Sequence, residues 1–191
     1  IRFGIVMLAA SATSTIMSYN ETFIVGQLLK DKELLAEYRV AANILSISLF
    51  LLEALLVFIL PYFIQHTGDR RWIWDSYKKL FLINGVVMTI FHLGLFIFAK
   101  LYLFIFAGPE YMGVVSLVRM FLVASWIQAV FRGLSGNILA VTGEEKFNLK
   151  INIVFVVLHA VIDIAAVKML GIYGAAIALI VVYFLSGLIM N

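Results

Sequence analysis

Long apolar runs dominate this chain and decide what it can fold into. A helix needs about 20 mostly apolar residues to cross a bilayer, and six segments meet that requirement. They run from about Ile1 to Leu29, Leu35 to Ile64, Leu80 to Phe106, Glu110 to Val141, Phe147 to Leu170 and Ile172 to Met190. Pro61 lies near the end of the second, and a break is expected near Lys100 in the third. Backbone amides in lipid must be satisfied within the segment, so runs of this length are expected to be helices. At 64% hydrophobic and 13% charged over 191 residues, the chain has too much apolar surface for a water-soluble core of its size. The expectation is an all-α, polytopic membrane bundle with almost no soluble domain.

The breaks between runs carry turn chemistry. Lys30-Asp31-Lys32-Glu33 separates the first two, and Gly108-Pro109, Thr142-Gly143 and Gly171 mark later ones. His66 to Arg71 opens what reads as the longest loop. Trp72, Trp74 and Tyr77 lie there among Arg70, Arg71, Lys78 and Lys79, a mixture that predicts a short helix lying at the headgroup level. Seven basic residues fall on one side (Arg2, Arg70, Arg71, Lys78, Lys79, Lys146, Lys150) and five on the other (Lys30, Lys32, Arg39, Lys100, Lys168). The positive-inside rule then places both ends of the chain in the cytoplasm. The chain begins at Ile1 and ends at Asn191 directly after an apolar run, and is expected to be a piece of a longer protein. Its net charge of +3 is spread over short breaks between apolar runs, which suits lipid headgroups and not nucleic acid.

Polar residues inside the runs are the functional candidates, because an ionisable group in lipid is costly and usually faces protein or water. Four helices carry such residues at helical spacing. They are Ser11, Ser14, Ser18 and Glu21 on the first; Arg39, Asn43, Ser46 and Glu53 on the second; Ser125, Gln128, Arg132 and Ser135 on the fourth; and Asn148, Asn152, His159 and Asp163 on the fifth. The economical expectation is that the four stripes line one wet cavity. Arg132, with Gln128 beside it and Arg119 on another face, suits an anionic substrate. Glu53 sits mid-segment, too far from either end to snorkel easily. Asp163 and His159, one turn apart, form a candidate proton relay or a structural hydrogen bond. His92 with Thr89 and Gly85 reads as packing, as do Gly171, Gly174 and Ala178. There is no cysteine. No phosphate-binding loop, zinc motif or nucleophile elbow is present, so neither catalytic nor metal-binding residues nor a cofactor are expected.

Several motifs occur in a familiar order. Asn20-Glu21-Thr22-Phe23-Ile24-Val25-Gly26-Gln27-Leu28-Leu29 is followed by Ala36-Glu37-Tyr38-Arg39-Val40-Ala41, then Phe106-Ala107-Gly108-Pro109-Glu110-Tyr111. Asn137-Ile138-Leu139-Ala140-Val141-Thr142-Gly143-Glu144-Glu145-Lys146 and Gly171-Ile172-Tyr173-Gly174-Ala175-Ala176-Ile177-Ala178 complete the series. Together they resemble the C-terminal half of the polysaccharide flippases in the multidrug/oligosaccharidyl-lipid/polysaccharide exporter superfamily. The resemblance implies a twelve-helix transporter of two six-helix lobes, with residues 1–191 as the C-terminal lobe and an N-terminal lobe of the same protein as its partner. It implies alternating access in the cytoplasmic (inner) membrane, moving oligosaccharide on a polyprenyl pyrophosphate carrier for surface polysaccharide, with H+ or Na+ as coupling ion. Glu21 occupies the neighbourhood where the family often has Asp, near the outer end of its seventh helix. On this reading Arg132, Gln128, Arg119 and Glu53 meet substrate, and Asp163, His159 and Glu21 couple to the ion. The rival expectations are a cation-coupled multidrug exporter and a non-transporting membrane scaffold or assembly subunit.

Overall fold

A computed structural model describes residues 21–191, and every described element is helical. The first described helix, α1 (residues 21–29), leads into α2 (Lys32–Gln65), which Asp31 caps by accepting from the Glu33 and Leu34 amides at 2.9 and 3.2 Å. The helix α3 (Arg70–Ile97) is capped by Asp69, whose carboxylate accepts from the Trp72 amide at 2.9 Å. A one-residue break at Phe98 precedes the short α4 (Ala99–Phe106). A 3-10 turn (Pro109–Val114) then opens a long span made of α5 (Val115–Ile127), a π segment (Gln128–Gly133) and α6 (Leu134–Val141). The last two helices are α7 (Glu145–Leu170) and α8 (Ile172–Met190). Five of these units are long and apolar enough to cross a membrane: α2, α3, the 109–141 span, α7 and α8. The expected first span lies mostly outside the described residues.

The expected interfacial helix at 72–79 is not a separate element. Nothing between Lys79 and Leu80 breaks a helix, and Asp69 supplies the start, so Trp72, Trp74 and Tyr77 belong to the first turns of α3. The connection before α3 therefore shrinks to residues 66–69. The His66 ring stacks on Trp72 at 3.8 Å and its Nδ1 lies 2.8 Å from the Tyr62 carbonyl, which fixes this turn.

The 109–141 span is the hub, and 56% of its most apolar window is buried, against 22% or less for α2, α3 and α7. Phe121, Leu117, Val118 and Leu122 pack against Tyr38, Ala41 and Ile44 of α2 and against Ala175, Leu179 and Val182 of α8. The closest crossing is between α7 and α8. Gly171, at φ +60°, joins them as a one-residue turn in the left-handed region that glycine tolerates. One turn later a Cβ at Gly174 would overlap the Ala166 carbonyl, so only glycine fits that approach. The outward faces of α3 (Leu82, Val86, Ile90, Leu93) and α7 (Val154, Val157, Val161, Ile164) are apolar and exposed, as helices facing lipid should be.

Candidate functional site: an inward polar column and an outward polar stripe

The stripes on α2 and α7 do not converge on one cavity. On α7, Asn148, Asn152, His159 and Asp163 are all buried inside the lobe. Their spacing keeps them on the face that packs against α8 and the hub. Arg132 reaches this column from the π segment, its Nη2 donating to Asn152 Oδ1 at 2.7 Å and its guanidinium lying 5.6 Å from the Tyr183 ring centre. Asn152 in turn donates to Asn148 Oδ1 at 3.4 Å. His159 is near enough to feel the Arg132 charge. Glu21 and Tyr38 are buried as well, and the Glu21 and Asp163 carboxyls lie near enough for their charges to interact. The structure thus draws Glu21, His159 and Asp163 into one buried neighbourhood with Arg132. Tyr38 and Tyr183 escape a reading of the sequence, because a tyrosine in an apolar run looks like core.

Much of this column lacks hydrogen-bond partners. Both carboxylate oxygens of Asp163, both ring nitrogens of His159, Arg132 Nε, Gln128 Oε1 and Glu21 Oε1 are buried and unpartnered. Unpaired buried polar groups are costly and need an explanation such as water, an ion or strain. Among the described residues no carboxylate lies within 4 Å of Arg132; the ion pairs there are both at the surface, Arg70–Glu144 and Lys78–Asp75.

The fourth-run stripe splits at the π segment. An α-helix would align Gln128, Arg132 and Ser135, but a π turn holds an extra residue and rotates the residues after it about the helix axis. Arg132 therefore meets α7, whereas the Ser135 hydroxyl lies 2.8 Å from Tyr77 Oη on α3. Ser125 only returns a hydrogen bond to the Leu122 carbonyl at 3.0 Å. Arg119 is half-buried, its guanidinium 5.2 Å from the Phe96 ring centre and its Nε donating to the Phe96 carbonyl at 3.4 Å, away from the column. His92 is packed as expected, with Nδ1 2.8 Å from the Met88 carbonyl. The inward line of α3 is Asn84, Met88 and His92, and Asn84 donates to the Ala129 carbonyl at 3.0 Å. Ser11, Ser14 and Ser18 lie outside the described residues.

The second-run stripe points the other way. Arg39, Asn43, Ser46 and Glu53 are all exposed on the face of α2 opposite Tyr38, Ala41, Ile44, Ser48 and Leu52. Glu53 therefore does not join Arg132; its neighbour Leu52 turns inward to Gly133 while Glu53 turns out. Phe50 and Val57 interleave with the stripe and are also exposed, so the face is mixed; a charge at mid-bilayer costs about 2.5–3.5 kcal/mol on insertion scales, which makes Glu53 the residue least suited to lipid there.

Comparison with family models, curated proteins and solved structures returns no match.

Because the chain has no native cysteine, the outward stripe can be tested residue by residue. Cysteines placed at Asn43, Ser46 and Glu53 are expected to react with a membrane-impermeant maleimide at least about tenfold faster than cysteines at Val86 or Val157, since the thiolate forms in water and not in hydrocarbon. Equal rates at both sets would mean that the stripe is not wet.

Proposed function

We propose that this chain is one lobe of an alternating-access exporter that flips polyprenyl-pyrophosphate-linked oligosaccharide across the cytoplasmic membrane. The observation that carries the reading is the exposed stripe Arg39, Asn43, Ser46 and Glu53 on α2. A spanning helix with a polar face turned away from its own bundle needs water or another lobe opposite it. A second lobe across that face would enclose a cavity near the bilayer midplane, and rocking of the lobes would expose it to either side. Arg39 offers a cation to the pyrophosphate, and Glu53, Asn43 and Ser46 offer hydrogen bonds to sugar hydroxyls. Arg132 stands behind this wall with no carboxylate within 4 Å among the described residues, and its field adds to the attraction for an anion in a low-dielectric lobe. Gln128 and Arg119 do not reach the open face in this conformation.

On this reading the buried group Glu21, His159 and Asp163 takes up H+ or Na+, and the change in charge alters the packing of α7 against α8 and the 109–141 span. The end bearing Arg70, Arg71, Lys78, Lys79, Lys146 and Lys150 faces the cytoplasm. Glu53 on the same stripe is the one observation that favours a cationic drug as cargo instead.

The test uses the complete protein in liposomes, following a fluorescent polyprenyl-pyrophosphate oligosaccharide as it becomes accessible on the opposite leaflet, beside a cationic dye. Movement of the lipid-linked sugar without the dye is expected, with loss of transport on replacing Arg132 and Glu53 by neutral residues, singly and together. Dye movement alone would transfer the protein to the drug-exporter reading. Full transport by correctly folded double variants would remove both residues from the mechanism.

A further inference from the structure

A cavity of about 280 Å³ lies between the first turns of α3, the end of α6 and the end of α8. It arises from the way α3 is anchored. Further along, Asn84 and Met88 seat α3 on α5 and the π segment, whereas its first turns reach the α6–α8 side through the Tyr77 side chain. The lining has two parts. Ile73, Ile138 and Leu139 form an apolar wall. The Tyr77 and Ser135 hydroxyls meet at 2.8 Å on the polar wall, where Ser135 also bonds Asn191 Oδ1 at 2.9 Å.

The mouth is basic and aromatic. Arg70 and Trp74 stand there, and Arg70 is held only loosely by Glu144 at 3.8 Å, both side chains being largely exposed. Arg71, Lys78, Lys79, Lys146 and Lys150 belong to the same end of the bundle, against Asp69, Asp75, Glu144 and Glu145, so the surroundings are net positive. Tryptophan and tyrosine rings beside lysine and arginine mark the headgroup level of a bilayer. A free anion has no use for an apolar wall, and an acyl chain has none for a hydroxyl pair under an arginine. An amphipath with an anionic head uses both.

We infer that this cavity binds the headgroup of a resident anionic glycerophospholipid. Its phosphate meets Arg70, its glycerol hydroxyls meet Tyr77 and Ser135, and its first acyl carbons lie along Ile73, Ile138 and Leu139. Such a lipid would brace the start of α3 against α6 without taking part in transport. The inference rests on the membrane location of the bundle and not on the identity of any cargo.

The full chain, purified from bilayers of equimolar phosphatidylglycerol and phosphatidylcholine, is weighed with its retained lipid by native mass spectrometry. Phosphatidylglycerol is expected to be retained about tenfold over phosphatidylcholine, and Arg70→Ala to remove most of that preference, as one charge-assisted hydrogen bond is worth about that factor. Arg70 is exposed, so its loss leaves folding intact. Leu139→Trp, which fills the cavity, should lower retention as well, and Lys100→Ala at the other end should not. Equal retention of the two lipids, or wild-type retention in both Arg70→Ala and Leu139→Trp, would overturn the inference. So would displacement by inorganic phosphate alone, which marks a free-anion site, or by equimolar polyprenyl phosphate, which marks a cargo dock. None of these readouts depends on whether the protein transports.

Discussion

Gly174→Ala is expected to destabilise the bundle by about 3 kcal/mol or more, at the upper end of what an added core methyl costs. The reason is what the methyl would meet. At most buried positions a new methyl presses on side chains that can turn aside. At Gly174 it meets the backbone carbonyl of Ala166 and the adjoining peptide, which cannot move without moving α7. The one-residue turn at Gly171 removes the usual escape, because α7 and α8 are joined too closely to slide apart by a register. Separation of the two helices would also open the column of Asn148, Asn152, His159 and Asp163. The measurement is unfolding in detergent, followed by loss of helix signal, with Gly94→Ala as control. No atom stands within 4 Å of a Cβ at Gly94, so that variant should be neutral or gain up to about 1 kcal/mol from helix propensity. Equal behaviour of the two variants would mean that α7 and α8 do not cross as described.

Arg132 and Asn152 should respond to substitution in opposite directions. Arg132→Met removes a buried charge that has no carboxylate within 4 Å among the described residues and fills most of its volume. Replacing a buried ion by a packed apolar side chain is often neutral or stabilising by about 1–4 kcal/mol. Asn152→Leu instead removes the acceptor that holds Nη2 at 2.7 Å and leaves the guanidinium with less than before, at an expected cost of about 2–4 kcal/mol. The double variant should recover most of that loss, because the orphaned charge is gone. A double-mutant cycle on unfolding reads all of this. If the proposed function holds, Arg132→Met folds at least as well as the native chain and still loses at least about tenfold in transport of the pyrophosphate-linked cargo, a penalty of roughly 1.4 kcal/mol. A destabilised Arg132→Met with normal transport would make the arginine a structural residue.

The helices are legible in the sequence where their ends carry chemistry. Asp31 and Asp69 are side-chain caps and Gly171 is a left-handed turn, and α2, α7 and α8 fall within a few residues of the apolar runs. The polar column on α7 is legible too, since its spacing alone puts four polar residues on one face. Three features are not. The start of α3 is hidden because basic and aromatic residues suit both an interfacial helix and the first turns of a spanning one. The π segment has no composition of its own to announce it. Which side a stripe faces is equally hidden. Arg39, Asn43, Ser46 and Glu53 have the same periodicity as the α7 column, and only the positions of neighbouring helices turn one set out and the other in.

The connections between described elements from α2 onward are one to four residues long. The consequence is that the described helices offer little loop surface to anything arriving from water. A soluble partner would find a few turn residues at each end of the bundle, too little area for a stable complex. The outward faces of α3 and α7 are open instead to lipids and to other helices in the same plane. Whatever meets those faces must already be dissolved in the bilayer or tethered to it.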